Sequence, residues 1–399
     1  MMAVRFSKCR NPSVDACFRS GLSFVWTCFL VFGTALIPQS VSAQDIIDVW
    51  IGTGRSSLSR GIYHTTLNCK TGKLSSPVLA AEADAPGFLA MHPKRPVIYA
   101  VATIQDEPCV AAYSMEGAPG KRSLTLLNTI EIGDGGAAHL SVDRTGQFLV
   151  TAQYGGGSVA LFTLNTDGSL KQRIQIVDHE GGSKVTPGRQ DSSHAHWAGF
   201  SADRRFVLVP DLGLDQVVIY QFDAVSPKLV RHGAGILPPG SGPRHMKFHP
   251  DGKHILVLNE IGMTVTVFAW DAKAGTMTPV NTVFTIPESD LSEKGLSTSE
   301  IRIHENGRFV YAANRGHDTI SVFHFEPRTA ALTLLENVHV RGATPRNFNL
   351  DPTGHWLIVG GQDSHTLASF EIDQQSGRLT YNRSIVHAPS AICVLFGFE

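Results

Sequence analysis

The 399-residue chain balances 34 Lys+Arg against 35 Asp+Glu, so it offers no excess of charge to attract nucleic acid or an anionic membrane surface. Its length accommodates one large single domain or two of ordinary size. Of six cysteines, Cys9, Cys17 and Cys28 fall in the N-terminal segment; the remaining Cys69, Cys109 and Cys393 lack metal-type spacing and allow at most one disulfide.

The first 43 residues read as a cleavable export signal. Arg5, Lys8, Arg10 and Arg19 form a basic start, Leu22–Ile37 an apolar core, and Val41-Ser42-Ala43 before Gln44 a small-x-small cleavage site. The apolar run is short for a spanning helix. The expectation is a mature chain 44–399, periplasmic or secreted and not membrane-bound once the signal is cut; without use of that segment the protein would be cytoplasmic.

From there the chain repeats itself at a period near fifty residues. A nine-residue stretch occurs seven times: Ala85–Pro93, Gly135–Asp143, Ser193–Ser201, Gly242–Pro250, Ser297–Glu305, Ala343–Asp351 and Ala388–Phe396. Copies run into turns such as Asp251-Gly252 and Asn306-Gly307, where glycine supplies the positive φ of a tight hairpin. A second strand follows, then a third with alternating apolar positions (Ser158, Gln216, Thr264, Thr319 and Thr366 begin five of them), then a Gly turn and a shorter fourth strand. Four short strands per unit, without helical periodicity, predict β-propeller blades. The last copy lacks a following strand and the strand Asp48–Thr53 lacks a preceding one. The predicted fold is therefore an all-β, seven-bladed propeller over 44–399, closed by the C-terminal strand on the N-terminal blade.

Five of the seven copies carry His, Arg or Glu where a purely structural repeat would be apolar. In a propeller the first strand of each blade lines the channel, and its start lies beside the end of the antiparallel second strand. Reflection about Gly252 brings Arg244 next to Glu260. The same operation sets Glu300 or Arg302 beside Arg315, and Arg346 beside Gln362. One column of first-strand residues holds His196, Arg244, Ser299 and Arg346; the next holds His139, Trp197, His245, Glu300 and Asn347. Strand alternation predicts that only one column points fully into the channel. His92, His249 and His304 at the turns read as structural. His194 and His196 could form a His-x-His metal pair, but no carboxylate or cysteine cluster accompanies them, so no metal is expected. Gly155-Gly156-Gly157 follows no βαβ pattern and reads as a hairpin loop.

The segments Ser193–His196, Gly242–Lys253, Leu258–Glu260, Ser299–Phe323 and Pro345–Gly354 make the chain resemble the lactonase family of seven-bladed propellers, the bacterial 6-phosphogluconolactonase type, related to the fungal carboxy-muconate lactonising enzyme. The resemblance covers nearly all of 44–399. It implies lactone chemistry without cofactor or metal on a small anionic lactone. It also implies that His196, Arg244 and Glu260, spaced as in the muconate enzymes, form the catalytic set with a further arginine, Arg302 or Arg315. The sugar-phosphate substrate of that family is cytosolic, whereas this chain reads as exported. The favoured assignment gives the substrate anion to Arg244 and Arg315 and the proton to His196 with Glu260. His194, His245, Glu300, Arg302, His317, Arg346 and Asn347 shape the pocket. Glu260→Gln is expected to slow the reaction and leave the fold intact. A hydrolase needs a base and positive donors where the carbonyl oxygen gains charge. No nucleophile elbow is present, which disfavours an acyl-enzyme. The alternatives are a lactonising cycloisomerase and a non-catalytic propeller binding a partner or ligand across one face.

Overall fold

A computed structural model of the chain describes residues 45–397. The expected export signal lies outside the described residues. Among those described, no helix is long and apolar enough to cross a membrane.

Seven four-stranded antiparallel sheets follow one another. Six are consecutive in sequence. The seventh combines the C-terminal strand Ala391–Phe396 with the three N-terminal strands, in the order Ala391–Phe396, Ile46–Thr53, Gly61–Asn68, Val78–Glu82. The pairing Val49↔Phe396 through Gly52↔Cys393 closes the ring, so the three N-terminal strands gain an innermost strand and form a four-stranded blade like the other six. Deleting Ala391–Glu399 removes the inner strand of that blade and uncovers Val49 and Ile51, both fully buried in a cluster that also contains Val394 and Phe396. Thermal unfolding of the truncated protein is expected to shift sharply downward as one cooperative transition; a melting curve matching that of the intact chain would refute closure as a stabilising element.

Within each sheet the apolar face packs on the next blade, so the core is a chain of inter-blade layers. Phe148, Val150 and Val159 of one blade, for example, pack with Val207, Val218 and Tyr220 of the following one. The turn histidines belong to these layers. His92, His249 and His304 each bond through Nε2 to a glycine carbonyl in the next blade's turn, Gly146, Gly307 and Gly354, at 3.2, 2.8 and 3.0 Å. Each ring also lies where a Cβ on that glycine would sit, and each glycine has φ near +70°, so these positions exclude side chains twice over. Cys109 and Cys393 are free thiols.

One expectation fails in an instructive way. The two inner-strand columns do not alternate between channel and sheet. Pro243 pairs with Asn259 and His245 with Leu258, leaving Arg244 as an extra residue; Arg346 is extra in the same manner between Pro345 and Asn347, and Ala138 between Ala137 and His139. A bulge at this level puts two residues against one and re-aims the chain. Both columns therefore reach the channel. The fourth blade departs further: its nine-residue copy forms only the two-residue strand Gly199–Phe200, plus an isolated bridge from Ala195 to Asp211.

Candidate active site

A pocket of about 660 Å³ opens at the channel mouth, lined by Tyr154, Arg189, His196, Glu260, Arg315 and Arg346 among others. Beneath it lies a smaller cavity of about 130 Å³, bordered by Phe88, His196, Arg244, His245, Arg346 and Asn347. His196 and Arg346 line both, so the two are successive levels of one depression.

Glu260 is the hub of the upper level. It follows the second strand His254–Asn259, and its amide donates to the Gly242 carbonyl at 2.7 Å, the closure that the hairpin reflection anticipates. Its Oε2 accepts from Arg244 Nε at 2.8 Å and Arg315 Nη2 at 3.1 Å; its Oε1 takes Arg189 Nη2 at 2.5 Å. Burial alone would raise the Glu260 carboxyl, but Arg315, Arg244 and Arg189 together hold it down to about 2. It is therefore ionised at any working pH and a poor proton acceptor.

Arg244 is buried and fixed in three directions. Besides Glu260, its Nη1 donates to the Ser299 carbonyl of the neighbouring blade and meets His245 Nε2 at 3.1 Å. Arg346 is different: among the described residues it has no carboxylate within salt-bridge distance. Burial and the nearby Arg315 charge push its guanidinium below the ordinary value.

His196 is buried between these charges. Its ring lies 5.3 Å from that of His245 and 5.3 Å from Tyr154, centroid to centroid, and among the described residues its Nδ1 has no hydrogen-bond partner. Burial first, then Arg244, His245 and Arg346, lower its pKa well below the usual histidine value. The imidazole is thus neutral, buried among cationic groups.

The lower level is a separate ionic cluster. Glu300, fully buried, accepts from Asn347 Nδ2 at 2.5 Å and Arg302 Nη1 at 3.2 Å, with His245 Nδ1 at 3.2 Å and Lys247 Nζ at 3.5 Å. Arg302 also donates to Asn349. Burial would raise the Glu300 carboxyl, yet Arg302, Lys247 and His245 hold it well below its ordinary value, while burial keeps His245 neutral, down to about 3.

The structure thus gathers His196, Glu260, Arg315 and Arg346 at the mouth. It places Arg244, His245 and Asn347 in the cavity beneath, which His196 and Arg346 also line, and Glu300 and Arg302 below that. Of the two arginines left open by sequence, Arg315 is the one at Glu260. Reflection paired Arg315 with Glu300 or Arg302, whereas its guanidinium contacts the Thr298 carbonyl at 3.0 Å and Glu260 in the preceding blade. His194 stacks on Tyr154 at 4.6 Å and bonds its carbonyl; it supports the pocket wall and is not in the lining. His317 turns away to Thr319 and Asp290. Arg189 and Tyr154 are absent from the expected set; Tyr154 stands eight residues after Gly146 as Glu260 does after Gly252, so the same reflection could have found it, whereas Arg189 sits in no repeat unit. Arg189 lies in the connection 179–198, long beside 237–242 or 340–344, and that length is the signal that could have flagged it.

The pocket therefore concentrates four guanidinium groups around one carboxylate and one neutral imidazole. Such a set attracts anions and repels cations, and can clamp a carboxylate, a phosphate or an oxyanion.

Residues 48–396 match the family model described as lactonase, 7-bladed beta-propeller. The chain is 35% identical to the 6-phosphogluconolactonase of Bacillus subtilis over 348 residues, covering 87% of this chain and 97% of that protein. A 6-phosphogluconolactonase of Formosa agariphila is 30% identical over 331 residues, covering 80% and 90%. Among solved structures, the periplasmic gluconolactonase PpgL of Pseudomonas aeruginosa superimposes with a TM-score of 0.81 at 26% identity, covering 88% of this chain and 99% of that one. Fold, ring closure and sequence agree: the chain belongs to the lactonase family of seven-bladed β-propellers.

Proposed function

We propose that the protein hydrolyses an anionic sugar lactone in the channel pocket without a metal ion; the relatives named 6-phosphogluconolactonase in Bacillus subtilis and gluconolactonase in Pseudomonas aeruginosa support the lactone, and the cationic pocket supports the anion. The observation that carries this reading is the neutral His196 set among Arg244, Arg315 and Arg346. His196 takes a proton from water as the oxygen adds to the lactone carbonyl. Arg244 and its neighbours hold the oxyanion that develops, where a fixed positive donor matters most. The ring C–O bond then breaks, and the imidazolium returns its proton to the departing alkoxide. Glu260, too acidic to serve as base, orients the arginines. Four guanidinium groups leave no favourable place for a divalent cation. A panel of neutral and 6-phosphorylated aldonolactones, read by acid release on purified protein, tests the proposal; no turnover above background on any of them would refute it.

The pH dependence follows from the same charges. A base must be unprotonated, so activity rises with pH through the His196 pKa. That pKa lies below the ordinary 6.5 in the empty pocket, so the acid limb of kcat/KM is expected below 6.5 and the profile flat through neutrality. A bound substrate anion offsets the arginine charges and relaxes the shift, so the acid limb of kcat should lie at higher pH than that of kcat/KM. A kcat/KM limb at or above 6.5 would remove His196 as the base.

We further propose export, with Gln44 as the mature N-terminus. The periplasmic relative supports this, and N-terminal sequencing of the native protein tests it.

A further inference from the structure

The arginines of the pocket are not equivalent. Arg244, Arg315 and Arg346 sit on or at the ends of blade strands, whereas Arg189 reaches in from the long connection 179–198. Its backbone is fixed. The adjacent Gln190, fully buried, donates through Nε2 to the Leu212 carbonyl at 2.9 Å and to Asp215 at 2.8 Å, while its Oε1 accepts from the Thr186 amide at 3.1 Å. Its head is not. The side chain is 41% exposed, and among the described residues its guanidinium hydrogen-bonds through one nitrogen, Nη2, which meets Glu260 Oε1 at 2.5 Å and the Tyr154 hydroxyl at 3.4 Å. Glu260 would keep two cationic partners without it, because Arg244 and Arg315 both hold its other oxygen. A rigid base, a solvated head and a carboxylate shared with two other arginines are the properties of a group that can exchange one anion for another.

We propose that Arg189 is a specificity-determining residue: it leaves Glu260 to hold an anionic group remote from the lactone carbonyl, and so sets the preference for a phosphorylated over a neutral aldonolactone. The inference rests on the lactonase reading and adds which residue reads the far end of the substrate. The rim position suits this role. Arg189 lines the upper pocket and is absent from the lower cavity where His196 meets Arg244 and Arg346, so a sugar with its carbonyl at the lower level extends its far end toward the rim. A guanidinium can grip phosphate by two parallel hydrogen bonds, which lysine cannot reproduce.

The test compares wild type, Arg189→Ala and Arg189→Lys on glucono-δ-lactone and its 6-phosphorylated form. A parallel arm measures the calorimetric affinity of each protein for 6-phosphogluconate and for gluconate. The ratio of kcat/KM for the phosphorylated over the neutral lactone should fall by roughly tenfold to a hundredfold in the alanine variant, chiefly through KM, with lysine intermediate. The affinity ratio of the two acids should fall in parallel. Ratios unchanged from wild type in both arms would overturn the assignment of Arg189. Failure of wild type to turn over either lactone would refute the lactonase reading instead, and the calorimetric ratio would then still decide whether Arg189 holds the remote anion.

Discussion

Replacing Arg244 by lysine is expected to lower kcat/KM about a hundredfold to a thousandfold, ~2.7–4 kcal/mol of transition-state stabilisation, the range seen when one donor to a developing oxyanion is lost. The charge survives; the geometry does not. Arg244 uses Nε toward Glu260 and Nη1 toward the Ser299 carbonyl and His245. A single ammonium cannot span those directions and still face the cavity. Burial also weighs against it, since a buried lysine gives up its proton more readily than arginine does. Steady-state kinetics with melting curves check the claim. Wild-type kcat/KM at an unchanged melting temperature would remove Arg244 from the chemistry and leave it a structural ion-pair partner. Combined with a change at Glu260 the losses should be less than additive, because both act on one arginine cluster.

The architecture is largely legible in the sequence, because a propeller repeats its grammar. Glycine turns, alternating third strands and an unmatched strand at each end led to the blade count and its closure. The hairpin reflection led to Arg244 beside Glu260, since antiparallel pairing leaves the chain no other arrangement once the turn is placed. What failed was depth. Strict alternation placed only one residue column in the channel, and bulges at Arg244 and Arg346 brought both in. A bulge depends on how seven blades crowd around an axis, which no single repeat encodes. The reflection likewise missed that Arg315 crosses to Glu260, because contacts between blades are set by the ring. Arg189 lay in an insertion with no repeat to align it. The roles shifted as well: sequence left the proton to His196 or Glu260, and three arginines converging on one carboxylate favour the histidine.

Glu260→Gln is expected to test that network through stability as much as through rate. The amide fills nearly the same space, and sequence alone expects the fold to tolerate it. The ion pairs change that expectation, because a neutral amide leaves the buried Arg244 without its counter-charge. Removing one partner of a buried pair costs about 3–5 kcal/mol, and the lower end fits here, since Arg315 and Arg189 are partly exposed and can be hydrated. Acid should reveal the same energy in the wild type. Glu260 titrates near 2 when folded against an ordinary 4.5, so its contribution is fully present above 4.5 and is lost as pH falls toward 2. The shift corresponds to about 3 kcal/mol. The glutamine variant has no such group. In urea titrations the two proteins should therefore differ most near pH 7 and converge as pH falls from 4.5 toward 2. Equal unfolding midpoints at pH 7 would mean that Arg244 is satisfied without Glu260, and the three-arginine hub would no longer explain how the pocket holds its charge.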